Sequence, residues 1–157
     1  MNKPDPAEKR DQSREEDRER TLVFRVGAER YGLPLVMVVE VFELATPLMP
    51  VPGAPEWVGG VINHHGQVVP VLRMSAFLEV NSTEAAEQII LVELSGESLG
   101  LAVDQIEALE EIRAEGPARK GRRRSWHRGA LMELIDTEFI RGSIQRRLAE
   151  IGRESII

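Results

Sequence analysis

The sequence predicts an all-β protein with short helices, a barrel or sandwich assembled from many small strands. Short runs rich in β-branched and aliphatic residues recur at close spacing, and glycine, asparagine, serine and proline punctuate them. No strand alternates with a helix-length amphipathic pattern, so a doubly wound nucleotide-binding sheet is excluded. The strand–turn–strand units before and after about residue 85 suggest two small barrels.

Residues 1–20 hold six basic and seven acidic side chains and almost nothing apolar, which predicts a disordered charged tail ahead of one domain over residues 21–157. Thr21-Leu-Val-Phe-Arg-Val26 reads as a strand, residues 27–30 as a hairpin turn, and Tyr31-Gly-Leu as the start of a second strand. Residues 34–42 (PLVMVVEVF) open on a proline suited to a first helical turn and continue β-branched, so a short helix running into a strand is expected. Residues 44–55 carry Pro47, Pro50, Pro52 and Pro55 and form a loop, because proline removes ladder donors.

The clearest local pattern follows. Val58-Gly-Gly-Val-Ile62 leads through Asn63-His64-His65-Gly66 into Gln67-Val-Val-Pro-Val-Leu72. Asparagine first and glycine fourth suit a type I turn with a left-handed last residue. Pro70 implies an edge strand or a bulge, and Gly59 and Gly60 imply a bulge or a close backbone approach. Residues 75–78 suit one helical turn, and residues 81–87 a connector. Residues 88–94 and 99–103 form a hairpin, and residues 104–112 a further strand. Residues 113–129 read as a polar loop and residues 130–135 as a strand. Thr137 is the expected cap of a final helix with an apolar stripe of Ile140, Ile144, Leu148 and Ile151.

Composition narrows the function. Cysteine is absent, which removes disulfides, thiolate metal sites and a cysteine nucleophile. No apolar run approaches the roughly 20 residues that cross a bilayer, and the charged N-terminus lacks a signal-like core, so a soluble cytoplasmic protein is expected. A net charge of -6 opposes general nucleic-acid binding, and an aromatic content of 4% opposes base stacking.

No phosphate-cradling loop, dinucleotide fingerprint or nucleophile elbow is present in the sequence. His64 and His65 are adjacent on a turn, where neighbours are expected to splay apart, and only His127 remains. Neither a metal site nor a cofactor is therefore expected, and nothing singles out a catalytic serine or a carboxylate pair. Arg119, Lys120, Arg122, Arg123, Arg124 and Arg128 form a basic cluster directly after a strongly acidic stretch, residues 93–115. It reads as a solvated loop, or alternatively as a contact for nucleic acid or another polyanion.

At the Asn63-His-His-Gly66 turn the chain resembles the CheW-like domain family. The resemblance runs from about Thr21 to Leu148. It rests on LVFRVGAERYGLPL (22–35), Val38-Val-Glu40-Val41, Pro55-Glu-Trp-Val-Gly-Gly-Val-Ile-Asn-His-His-Gly66, Val69-Pro-Val-Leu72, Phe77-Leu78 and Leu101-Ala-Val-Asp104-Gln-Ile. It implies two five-stranded, SH3-like β-barrels flanking a hydrophobic core, and no catalysis. It also implies a coupling scaffold that binds the regulatory domain of a CheA-type histidine kinase and the cytoplasmic tip of a chemoreceptor. In relatives the turn is usually Asn-Leu-Arg-Gly, its arginine working beside a glutamate. Glu40 matches the glutamate, whereas His65 stands at the arginine position and exchanges a fixed guanidinium for an imidazole. The short arginine-rich segment before residue 130 suggests a reduced second barrel. Val38, Glu40, Gly60, Asn63, His65 and Gly66 are the candidate recognition strip. Val38 is equally readable as core, and Asn63 and Gly66 as turn residues first.

Overall fold

The computed structural model describes residues 18–154. Its elements are β1 (Arg18–Val26), β2 (Glu29–Pro34), a single 3-10 turn (Leu35–Met37), β3 (Val38–Glu43), β4 (Val58–His64), β5 (Gln67–Arg73) and α1 (Met74–Phe77). There follow β6 (Gln88–Leu94), β7 (Glu97–Val103), β8 (Gln105–Arg113), β9 (Glu115–Arg119), β10 (Arg122–His127), β11 (Ala130–Ile135) and α2 (Thr137–Glu154). The tail expected over residues 1–20 lies outside the described residues up to residue 17. Arg18, Glu19 and Arg20 pair with β8 as the start of β1.

The strands form two sheets, ordered β8-β1-β2-β11-β10-β9 and β3-β6-β7-β5-β4. Both curl. In a flat six-stranded sheet, five steps of about 4.8 Å would hold β8 and β9 about 24 Å apart. Ala114 alone joins them, so the sheet closes on itself and β8–β9 is one bent strand completing a five-stranded circuit. The sequence expectation of five-stranded barrels holds in that sense.

Three apolar clusters correspond to the two barrel interiors and the layer between them. Val23, Ile112 and Met132 fill the first barrel. Ile62, Val69, Val71, Ile89, Leu91 and Ala102 fill the second. The shared layer joins Leu22, Phe24 and Leu33 to Ile90, Val92, Leu101 and Val103, with Ile135 and Ile140. In β6, successive residues thus bury into alternate clusters, which is why its run IILV is continuously apolar instead of alternating.

Several sequence expectations are corrected. The barrels are not the two halves of the chain: β1 and β2 join the C-terminal strands, so residues 38–103 form an inserted barrel. The polar segment 113–129 is not a loop but β9 and β10, and the barrel it belongs to, expected to be reduced, has its five-stranded circuit. Its alternation is hidden because one face is almost entirely charged, with Ser125 buried and donating to the Arg113 carbonyl at 2.8 Å. Pro70 lies on an interior strand. Its missing donor is tolerated because the ladder to β7 begins only at Val71. Helix α2 is capped not by Thr137 but by Asp136, whose Oδ1 accepts from Phe139 N at 3.0 Å. The helix buries Phe139, Ile140 and Ser143, and Arg147 donates to the Phe77 carbonyl and lies over the Phe77 ring. Leu148 and Ile151 of the expected stripe are exposed.

Candidate functional site

The inserted barrel differs from the other in how it shuts. Its edges, β3 and β4, share no ladder, yet side chains join them. His64 Nε2 at the end of β4 lies 2.8 Å from Glu40 Oε2 on β3. The same ring stacks on Phe42 of β3, with centroids 4.4 Å apart and planes 6° from parallel. Phe42 packs onto the interior cluster, so the contact is anchored from below.

The hairpin that carries His64 is built by local rules. His65 (φ 50°) and Gly66 (φ 81°) are both left-handed, the geometry of a two-residue type I′ turn and not the expected type I turn. Asn63 Oδ1 accepts from Gly66 N at 3.0 Å and locks it. Three further hairpins use the same X-Gly device: Ser95-Gly96, Lys120-Gly121 and Arg128-Gly129. The turn holds the His65 ring 4.1 Å from the His64 ring, at 59°, so the adjacent imidazoles do not splay. One ligand atom from each of Glu40, His64 and His65 falls within 4.8 Å of the others, a set not expected from the sequence.

Of the six strip residues, the structure groups Glu40, Asn63, His65 and Gly66 around this seam. Val38 is half-buried against the shared core. Gly60 is buried in β4 with φ 140°, where a Cβ would stand 2.4 Å from the Met49 carbonyl oxygen. Both contribute to the packing of the fold. His64 and Phe42 were missed, because which of two adjacent histidines turns toward β3 depends on strand register and not on composition. Exposed Val39, Val41 and Val68 add apolar surface beside the seam, on β3 and β5.

Charge elsewhere is largely structural. Asp104, buried, accepts from Gly27 N at 2.6 Å and Ser82 Oγ at 2.8 Å, tying the β1–β2 turn to the connector before β6. Arg25 beside it pairs with Glu84 at 3.0 Å, a hydrogen bond that raises the guanidinium pKa further. In the basic cluster, Arg122 pairs with Glu133 and Arg128 with Glu110. Glu110 also meets His127, whose hydrogen bond holds the carboxyl below its ordinary range. The acidic and basic stretches therefore meet partly within the fold. No helix among the described residues is long and apolar enough to cross a membrane.

A family model for the CheW-like domain matches residues 20–140. The chain belongs to the CheW-like domain family. Among CheW-like proteins, the chemotaxis protein CheW of Rhizobium meliloti (strain 1021) is 34% identical over 87 residues, 54% of this chain and 56% of that protein. Protein FrzA of Myxococcus xanthus is 46% identical over 55 residues, 35% of this chain and 34% of that protein. The aligned stretches thus span about half or less of the length of these curated relatives. The crystal structure of the scaffolding protein TtCheW from Thermoanaerobacter tengcongensis superposes with a TM-score of 0.65, covering 75% of this chain and 88% of that one. At 23% identity that likeness speaks for the CheW-like fold alone.

Proposed function

We propose that this protein is a non-catalytic coupling scaffold of chemosensory signalling, holding a chemoreceptor and a CheA-type histidine kinase in a geometry that permits signal transfer. Membership of the CheW-like family over residues 20–140 carries the reading. The surface chemistry supports it. Edge strand β3 exposes Val39 and Val41 next to Glu40, and the β4–β5 hairpin exposes Asn63 and His65 beside it. An unpaired edge with apolar and polar groups interleaved suits docking of another β-barrel or of a receptor helix, binding modes that need no bond-making chemistry. The kinase regulatory domain and the cytoplasmic receptor tip are the partners assigned to it, and the cytoplasm the compartment.

The test is capture of the folded protein on immobilised CheA regulatory domain and on a receptor-tip peptide. Retention on either supports the scaffold, and Glu40→Lys, which reverses a charge at the seam, weakens it. Folded protein that binds neither overturns the reading.

A further inference from the structure

We propose that Glu40, His64 and His65 form a binding site for one divalent transition-metal ion of the zinc, nickel and cobalt class, set across the open seam of the inserted barrel. The donor set decides the class. Two imidazole nitrogens and one carboxylate oxygen suit zinc and its neighbours, whereas calcium and magnesium take oxygen shells. The spacing is close to what an ion needs. Zinc bonds of about 2.0–2.1 Å in a tetrahedron place ligand atoms about 3.4 Å apart. The three donors already lie within 4.8 Å of one another, and His64 Nε2 is 2.8 Å from Glu40 Oε2. Glu40 and His65 are exposed, which leaves their side chains room to rotate toward one ion.

The ligands are also held in place. The His64 ring is pinned between Phe42, stacked at 4.4 Å, and His65 at 4.1 Å. His65 sits on a turn whose left-handed φ of 50° is fixed by the Gly66–Asn63 hydrogen bond. An ion here joins β3 to the β4–β5 hairpin, two elements with no ladder between them, so it binds the folded state selectively and stabilises it. A fourth position is open to water or to a side chain from outside. The site stands independently of the scaffold reading, since it requires no partner.

The experiment titrates chelator-treated full-length protein with Co2+, followed by visible absorption, and with Zn2+, followed by calorimetry. One ion per chain is expected. At a hundredfold excess of Zn2+ over Kd, the thermal midpoint rises by about 5–10 °C, reversibly with chelator. His65→Asn keeps the turn, because asparagine tolerates left-handed backbone, yet removes a ligand, so affinity falls at least about tenfold. His127→Ala, outside the site, leaves affinity unchanged. Glu40→Gln weakens binding in parallel with His65→Asn. Absence of a cobalt spectrum and of zinc heat, or binding that is indifferent to His65→Asn and Glu40→Gln, overturns the site.

Discussion

Gly60→Ala tests how the inserted barrel is held shut on its outer side. Gly60 has a φ of 140°, a conformation that costs a residue with a Cβ about 1–3 kcal/mol. The added carbon would stand 2.4 Å from the Met49 carbonyl oxygen and 3.0 Å from its carbon, both backbone atoms that no rotamer change can clear. The Pro-rich loop must then withdraw from β4. That gives up the reciprocal bonds Val61 N to Met49 O at 2.9 Å and Met49 N to Val61 O at 3.0 Å, about 1 kcal/mol each. The sum is about 3–5 kcal/mol. With a urea slope of about 2 kcal/mol per molar, the unfolding midpoint falls by about 1.5–2.5 M. Gly66→Ala is the control, since its φ is 81° and nothing lies within 4 Å of the added carbon, leaving only the left-handed cost of about 1–2 kcal/mol. Equal losses in the two variants would refute the role given to the Met49 contact. The folded fraction of Gly60→Ala should keep its partner affinity, because the residue is buried framework.

Three further outcomes are expected. The single tyrosine, Tyr31, is pushed up to about 12 chiefly by burial, so its phenolate absorbance should appear near pH 12, and a midpoint near the ordinary 10.0 would contradict its packing. Because its folded value is raised, its contribution to stability is full below about pH 10 and is lost as pH climbs through 12. Glu110 has the opposite sign: its folded pKa is lowered, first by the His127 hydrogen bond, so its contribution is present above 4.5 and is lost as pH falls through the folded value. Urea midpoints measured below pH 4.5 should therefore fall less steeply in Glu110→Gln, and identical acid limbs would count against the Glu110–His127 pair. Asp136→Ala removes the cap of α2 and should cost about 1 kcal/mol, read as a drop of about 2–4 °C in thermal midpoint, while Thr137→Ala costs much less.

Much of the fold was legible because its signals are local. The runs LVFRV, QIILVEL and GLAV announce strands, and the short helix into β3 follows from Pro34 ahead of a β-branched run. What failed was long-range or masked. Pairing of β1 with β8, and the parallel contact of β2 with β11, leave no trace in either segment alone, so the chain looked divisible near residue 85 when its first barrel is in fact split around the second. Strands β9 and β10 hid behind arginines that face solvent, although Lys120-Gly121 and Arg128-Gly129 are the same turn signal as His65-Gly66. At the seam, Glu40 and the hairpin were readable from sequence. The roles of the two histidines were not, because β3 approaches the hairpin only through barrel closure. The expectation that neighbouring turn histidines diverge ignored the type I′ backbone, which keeps both rings on the Glu40 side.

The central claim is that this protein acts by presenting the face formed by β3 and the β4–β5 hairpin to other proteins. The most direct measurement is an amide NMR titration of the isotope-labelled chain with unlabelled CheA regulatory domain, repeated with a receptor-tip peptide. Saturable shifts that cluster on residues 38–43 and 61–68 for at least one partner are the predicted result. Shifts confined to the far barrel around residues 115–135, or none for either partner, would contradict it.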